Sequence, residues 1–596
     1  MNGKNANETS VNESRSLKKL VKPWWQIGTI YQVYPRSLQD SNGDGVGDLR
    51  GLLSRLDYFV ALGVDALWLS PIYPSPMKDF GYDVSDDTGI DPIFGTMEDF
   101  DVLLAEVHRR KLRLILDFVP NHTSDRHPWF LESRSSRTNA KADWYLWHDP
   151  VPYPWLKPGE DTRPVNEQYP NNWMSHFGGP AWTWCEERQQ FYMHSFLAAQ
   201  PDVNWRTPGV KQAIFDAMRF WLAKGVDGFR MDVLWLLVKN AEFLNNPPNP
   251  AYHGDLHDFA AMLPVYTADQ PETHEIVREM RALMDGYSSE GRERVLIGEI
   301  YLPLEELVRY YGTEEARAHT SGALAEPPVA DEDEAPRLNG AHLPFNFALI
   351  QTPWQAEAIA QGVKTYEALL PRGAWPNYVL GNHDQPRLAS RIGARQARVA
   401  QMLLLTLRGT PTMYYGDELA MTDVAIAPDQ VRDPAERNEP GKGRGRDPER
   451  SPMIWSAEPN AGFTTPEATP WLPILPDFET RCVAVQGREP KSMLSLTRAL
   501  LFLRRRLPAL HRGAVSEVRA QNGVLSYLRT ATLVDLSTQR LEVHLNLTNE
   551  EKVVTCSHGT LLFTTMMDGA GAPVDGKLTL EANEGALIAV EERPGE

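Results

Sequence analysis

The chain has 596 residues, 42% of them apolar and 23% charged, a composition that suits two or three soluble globular domains with a sizeable core. Its formal net charge of −19 argues against nucleic acid or anionic lipid as a partner. Three cysteines, Cys185, Cys482 and Cys556, are far apart and odd in number, so no disulfide framework is implied.

Residues 1–23 are polar, lack the apolar core of a signal peptide and read as a disordered tail. No run approaches the ~18 apolar residues of a membrane span, so no membrane partner and a cytoplasmic location are expected. The first strand is predicted at Ile27 to Tyr34, before a helix carrying Leu49, Leu52, Leu53 and Leu56 at helical spacing. Ala66 to Ser70 is the second. Thr96 and Asp99 form a capping-box pattern that opens a helix with Phe100, Leu103, Leu104 and Val107 on one face. Leu112 to Val119 is a continuous apolar strand of the kind buried in a parallel sheet.

Residues 122–205, rich in Trp, Pro, Tyr and Asn, lack a regular period and are too long for a loop, so they read as an insertion domain after strand three. Alternation then resumes, with a helix near 209–223 and strands near 228–233, 295–300, 341–347, 376–382 and 411–415. A helix from Ala394 to Leu407 precedes Gly409 as its expected C-cap. Eight strand–helix units close a (β/α)8 TIM barrel over 24–121 and 206–512. The Gly/Arg/Pro-rich stretch 427–475 leaves the eighth strand as a long excursion, and Asp331 to Glu334 reads as an exposed loop. In the last helix, Ser492 to Arg506, the run Arg504-Arg505-Arg506 is expected to be a solvated end. Short alternating strands over 513–596, such as Val524 to Leu528, Leu541 to Leu547 and Lys577 to Leu580, predict a C-terminal antiparallel β-sandwich domain.

Three carboxylate-bearing segments end predicted strands: Gly228 to Val233, Ile297 to Ile300 and Gly381 to Asp384. A barrel gathers such residues at one mouth. Cleaving a sugar acetal needs one carboxylate at the anomeric carbon and another acid to protonate the leaving oxygen. Asp232 and Glu299 end strands four and five; adjacent strands lie ~4.8 Å apart, which permits the ~5–5.5 Å carboxyl separation of a retaining pair. Arg230, two residues before Asp232, shares its face of the strand and is expected to keep Asp232 ionised. Asp40-Ser41-Asn42-Gly43-Asp44-Gly45-Val46-Gly47-Asp48 alternates oxygen-bearing side chains with glycines and suits a structural Ca²⁺, with Mg²⁺ also fitting.

In family order, Asp117-Phe118-Val119-Pro120-Asn121-His122, Gln200-Pro201-Asp202-Val203-Asn204, Gly228 to Val233, Gly298-Glu299 and Asn382-His383-Asp384 resemble the five motifs of the α-amylase family, glycoside hydrolase family 13. Gln200 to Asn204 points to its oligo-1,6-glucosidase and α-glucosidase branch. The resemblance implies that Asp232 is the nucleophile, Glu299 the acid/base and Asp384 the carboxylate that grips sugar hydroxyls, with His122 and His383 on the same glucose. It also implies that Asp79 and a late Arg close off the non-reducing end, and that Tyr82 stacks on the sugar. Arg450 is the first choice for that Arg and Arg446 the second. The family's matching loop binds Ca²⁺ through the side chains of Asp40, Asn42, Asp44 and Asp48 and the carbonyl of Val46.

The expected activity is that of a retaining, exo-acting α-glucosidase on short oligosaccharides, with transglucosylation as a side reaction. Val233 accompanies α-1,6 activity in this branch, whereas Asp232 to Pro250 resembles enzymes of broad linkage range. The rival enzyme reading is a sucrose isomerase or trehalulose-forming transglucosylase, against which stands the lack of a clear Arg-Leu-Asp-Arg-Asp segment. A non-catalytic transporter heavy chain is the rival from another class; the retained acids and the lack of a span oppose it.

Overall fold

The computed structural model describes residues 22–152, 161–255, 258–313 and 337–591. The expected tail through residue 21 and the Asp331 to Glu334 loop lie outside these.

In chain order the strands are β1 (Ile30–Val33), β2 (Ala66–Leu69), β3 (Arg113–Phe118), β4 (Trp147–His148), β5 (Trp182–Cys185), β6 (Gln190–Met193), β7 (Gly228–Met231), β8 (Val295–Gly298), β9 (Leu343–Pro344), β10 (Asn377–Val379) and β11 (Thr410–Tyr414). Eight of them form one parallel sheet in the order β10-β11-β1-β2-β3-β7-β8-β9. A single parallel bridge from Asn346, just past β9, to Tyr378 in β10 links its two ends, so the sheet is a nearly closed barrel. Every residue of β1, β2, β7, β8 and β11 is buried, as expected of strands covered on both faces. All eight predicted strands are therefore present, seven trimmed at their ends and the eighth shifted by one residue to Thr410–Tyr414.

The helices form for legible reasons. Thr96 and Asp99 make the capping box of Met97–Arg109, whose Phe100, Leu103, Leu104 and Val107 are buried. Helix Pro208–Lys224 starts on a proline and stops at Gly225 with φ 110°. The Leu49-to-Leu56 helix is two helices, Leu49–Ser54 and Leu56–Leu62, the first capped by the Asp48 side chain. Helix Ala394–Thr406 ends at Leu407 and not at Gly409. Gly409 instead opens β11: its φ is 117°, and a Cβ there would lie 2.3 Å from the Pro376 carbonyl oxygen.

Strands β4, β5 and β6 form a small antiparallel sheet within the excursion that follows β3. Its core is aromatic, with Trp173, Trp182 and Phe191 buried together. After the last barrel helix the chain forms β12 (Ala514–Gln521), β13 (Val524–Thr532), β14 (Thr538–Asn546), β15 (Lys552–Thr555), β16 (Gly559–Thr564), β17 (Pro573–Val574), β18 (Lys577–Leu580) and β19 (Gly585–Val590). Six make one antiparallel sheet, β12-β13-β14-β19-β16-β17, and β15 pairs with β18. In the arginine run at 504–506, Arg505 and Arg506 are exposed as expected, but Arg504 departs from the solvated end. Arg504 is buried and donates to the carbonyls of Leu405, Leu407 and Leu510, so it terminates helices instead of facing water.

Candidate active site

The carboxyl ends of β3, β7 and β8 bring three acids to one guanidinium. Arg230 in β7 is fully buried; its Nη1 lies 2.8 Å from Asp117 Oδ1 and 2.8 Å from Asp232 Oδ1, and its Nη2 lies 2.8 Å from Glu299 Oε2. The barrel register forces this meeting. Arg230 pairs with Asp117 across β3–β7, and Met231 pairs with Gly298 across β7–β8, so Asp232 and Glu299 leave adjacent strand ends side by side. Val233 follows at φ 38°, an outlier for a β-branched residue, and its N–H donates to Glu299 Oε2 at 2.8 Å. Glu299 is thus oriented from both sides.

One cation cannot neutralise two buried carboxylates. Asp232 is pushed well above the usual carboxylate range by burial and then by the charge of Glu299, against the pull of Arg230. Burial also raises Glu299; Arg230 opposes this and Asp384 adds to it. Arg230 therefore does not by itself keep Asp232 ionised, as the sequence suggested, because desolvation outweighs it. The two carboxyls are poised to hold one proton between them, the protonation count that an acid and a nucleophile require.

Around this pair a cavity of about 880 Å³ opens, lined by Asp79, Tyr82, His122, His383 and Asp384 as well as by Asp232 and Glu299. His383 is fixed through both ring nitrogens, Nδ1 lying 2.8 Å from Gln32 Nε2 and Nε2 lying 2.6 Å from the Tyr82 hydroxyl. Tyr82 in turn donates to Asp117 Oδ2 at 3.0 Å and stacks on His383 with the rings 6° from parallel. Burial depresses both histidines, His122 to about 4 and His383 well below its ordinary value, so each is a neutral ring. Burial works to raise Asp384, but the Arg450 and Arg446 guanidiniums beside it outweigh this and hold that carboxyl below the usual range.

The structure reverses the expected order of the two late arginines. Arg446, the second choice, lines the cavity and lies 2.7 Å from Asp79 Oδ1, 3.3 Å from Asp384 Oδ1 and 2.6 Å from Asp433 Oδ2. Arg450 is buried behind the wall, donating to the His383 carbonyl at 2.7 Å and to Asp384 Oδ1 at 2.9 Å. The one-turn helix Pro448–Arg450 rotates Arg450 inward, away from Asp79. Arg230 also stays beneath the acids and off the cavity wall, so it positions them and does not touch a ligand. Sequence reading missed Asp433, which caps helix Pro434–Asn438 and anchors Arg446, and the aromatic wall of Phe177, Phe196 and Trp235. A lone Asp in a loop and scattered aromatics carry no spacing signal.

The cation loop lies apart from the cavity. Its oxygen-only donors suit a hard cation, but a carboxylate has about four acceptor sites, and Asp40 fills them with the N–H groups of Asn42, Gly43 and Gly45 and the Thr464 hydroxyl. Asp48 accepts from Ser41 and caps Gly51; Asn42 and Asp44 each accept one loop N–H. Among the described residues no three acids converge as a metal cage. These bonds shape the loop in this conformation; that it holds a hard cation is proposed from its donor set.

The alpha-amylase catalytic domain model matches residues 32–513, most of the chain. The chain belongs to the alpha-amylase family. It is 39% identical to a probable alpha-glucosidase of Rhizobium meliloti (strain 1021), over 87% of this chain and 90% of that one. An amino acid transporter heavy chain of Homo sapiens is 37% identical over 86% of this chain and 69% of its own length. Among solved structures, the alpha-glucosyl transfer enzyme XgtA superposes with TM-score 0.83 at 35% identity, covering 96% of this chain and all of that one. The trehalulose synthase MutB of Pseudomonas mesoacidophila MX-45 does so with TM-score 0.81 at 31% identity, with the same coverage. This family member is a glycoside hydrolase of the glucosidase and transglucosylase kind. Among the described residues no helix is long and apolar enough to cross a membrane.

Proposed function

We propose that the protein is a retaining, exo-acting α-glucosidase that releases terminal glucose from short oligosaccharides and passes some of it to acceptors other than water. The observation that carries this reading is two sets of ion pairs at one cavity: Asp232 and Glu299 on a single guanidinium, and Arg446 tying Asp79 to Asp384. Two carboxyls on one fork support the short spacing of a retaining pair, whereas an inverting pair is held ~6.5–9.5 Å apart to seat a water. Asp232 attacks the anomeric carbon while Glu299 gives its proton to the leaving oxygen; Glu299 then takes a proton from water or an acceptor as the ester to Asp232 breaks. Asp384, ionised, and the neutral rings of His122 and His383 hold the glucose hydroxyls. The Asp79–Arg446 pair closes the non-reducing end, which favours removal of one residue at a time.

A second reading, sucrose isomerisation, is supported by the likeness to trehalulose synthase, which would use the same acids and retain fructose. Assays on maltose, isomaltose, sucrose, trehalose and starch, with proton NMR of the first product, separate these. We expect α-glucose from the short α-glucosides and little from starch. β-Glucose as first product would overturn the retaining mechanism, internal cutting of amylose the closed end, and trehalulose from sucrose would favour the second reading.

A further inference from the structure

The segment between β2 and helix Met97–Arg109 delivers Asp79 to the cavity, and its backbone takes a costly path to do so. Met77 and Phe80, on either side of Asp79, stand at φ 59° and 50°, in the left-handed region that residues with a Cβ disfavour. No residue from 71 to 90 belongs to a strand or helix, so no ladder of backbone bonds offsets this strain. Asp83 supplies what the ladder does not. Its side chain is fully buried; Oδ1 accepts the Ser75 hydroxyl at 2.8 Å and the Asp79 N–H at 3.0 Å, and Oδ2 accepts the Lys78 N–H at 3.0 Å. One carboxylate thus ties the chain on both sides of Met77 and holds the backbone of the residue that pairs with Arg446. Burial raises the Asp83 carboxyl to about 6 against the pull of those donors, which leaves it ionised at neutral pH. The Asp79 carboxylate is held separately, by Arg446 at Oδ1 and by Gln200 Nε2 at 3.2 Å from Oδ2. Phe80 is backed by Trp471, ring centres 5.3 Å apart, with Arg36 stacked over both rings. Asp83 itself lies off the cavity wall, which Asp79 and Tyr82 reach.

We propose that Asp83 is a positioning residue for the closed end: by clamping the strained backbone at Lys78 and Asp79 it fixes how far a sugar chain can enter, and so whether one glucose or two fit inside. The inference rests on the Asp79–Arg446 end of the preceding section. An amide cannot replace this carboxylate. Asn has one accepting oxygen, and its NH2 would face a backbone N–H of Lys78 or Asp79, donor against donor. The segment then loses part of what offsets the strain at Met77 and Phe80, and Asp79 withdraws from Arg446. Such a loss acts on the sugar farthest from the scissile bond and leaves Asp232 and Glu299 on their own guanidinium.

The test uses maltose and 4-nitrophenyl α-maltoside at neutral pH, with the wild type, Asp83→Asn and Ser75→Ala. A closed end admits one glucose, so the maltoside first yields glucose and 4-nitrophenyl α-glucoside. An opened end admits two, and the maltoside then yields maltose and nitrophenol directly. The initial ratio of nitrophenol to glucose, read at low conversion, therefore reports the depth of the pocket. We expect the wild type to release glucose first. In Asp83→Asn the KM for maltose should rise about tenfold with kcat held within about threefold, and the initial nitrophenol-to-glucose ratio should rise about tenfold. Ser75→Ala removes one donor and keeps both N–H bonds, so it should move KM and the ratio the same way by about threefold. A fall in kcat alone in Asp83→Asn, with KM and the product ratio unchanged, overturns the inference, as does wild-type behaviour in that variant. Should Asp83→Asn not fold, an unchanged KM and ratio in Ser75→Ala overturn it instead. A wild type that releases nitrophenol from the maltoside first overturns the closed end of the proposed function, and this inference with it.

Discussion

Arg446 and Arg450 are four residues apart, equally basic and equally close to the cavity in sequence, yet they act on different neighbours. Arg446 forks between Asp79, Asp384 and Asp433, whereas Arg450 holds the His383 carbonyl and one oxygen of Asp384. A lysine cannot reproduce a planar fork. Arg446→Lys should therefore loosen the closed end and lower kcat/KM on maltose about 100-fold, roughly the ~3 kcal/mol of a disrupted buried charge pair, chiefly through KM. Arg450→Lys should act chiefly on kcat, because it disturbs how Asp384 is aimed. Steady-state kinetics on both variants check this; a dominant KM effect in Arg450→Lys with none in Arg446→Lys would return the closing role to Arg450. The sequence put both arginines in the right loop because the surrounding motif marks the loop. It could not choose between them, since the choice depends on the turn at Pro448–Arg450, which no pattern of residue types announces. By contrast Asp232, Glu299 and Asp384 were legible, each lying at or shortly past a strand end within a short motif.

At the scale of the element, the excursion after β11 is more than a loop. It carries Asp433 and Arg446 to the cavity and buries Glu449. The excursion after β3 is tied down by a comparable buried group. Lys239, six residues beyond the strained Val233, pairs with Asp202 and donates to Asn121 Oδ1 at 2.7 Å, linking the insertion to the ends of β3 and β7. The period of the strands and helices revealed the barrel, but such cross-links join residues over 30 apart and leave no local trace. Glu449 gives the excursion a measurable signature. Burial, against the pull of Arg450, pushes its carboxyl up to about 9, while in the unfolded chain it titrates near ~4.3. The native state therefore holds a proton that the unfolded state has lost, and stability falls as pH rises from ~4.3 toward about 9. Glu449→Gln removes this titration. Its melting temperature should exceed that of the wild type at pH 8, with the gap closing toward pH 4; parallel curves at all pH values would show that Glu449 is ionised in the fold.

Over the whole molecule, the C-terminal sheet is not an appendage. Leu525, Tyr527, Leu541, Val543, Leu545 and Leu587 belong to the same buried cluster as Leu403 and Leu404 of the barrel helix Ala394–Thr406. Polar groups fasten the same face. Arg529 in β13 is fully buried and donates to the carbonyls of Thr406, Leu510 and Gly513, while Arg398 reaches the Thr565 carbonyl at 2.6 Å. The alternating strands disclosed the β domain, but an arginine within one of them reads as an outward polar position; here it caps helix ends that belong to the barrel. If the two parts are one cooperative unit, losing that cap must be felt at the active site. Arg529→Met fills similar volume but leaves several buried carbonyls without a donor, each costing about 1–3 kcal/mol. Denaturation followed in parallel by far-UV circular dichroism and by residual glucosidase activity should give one coincident transition in both proteins, moved to lower denaturant in the variant by about 3 kcal/mol. Two separated transitions, with activity surviving the first, would mean that the sheet folds and unfolds on its own and that the shared core does not couple it to the barrel.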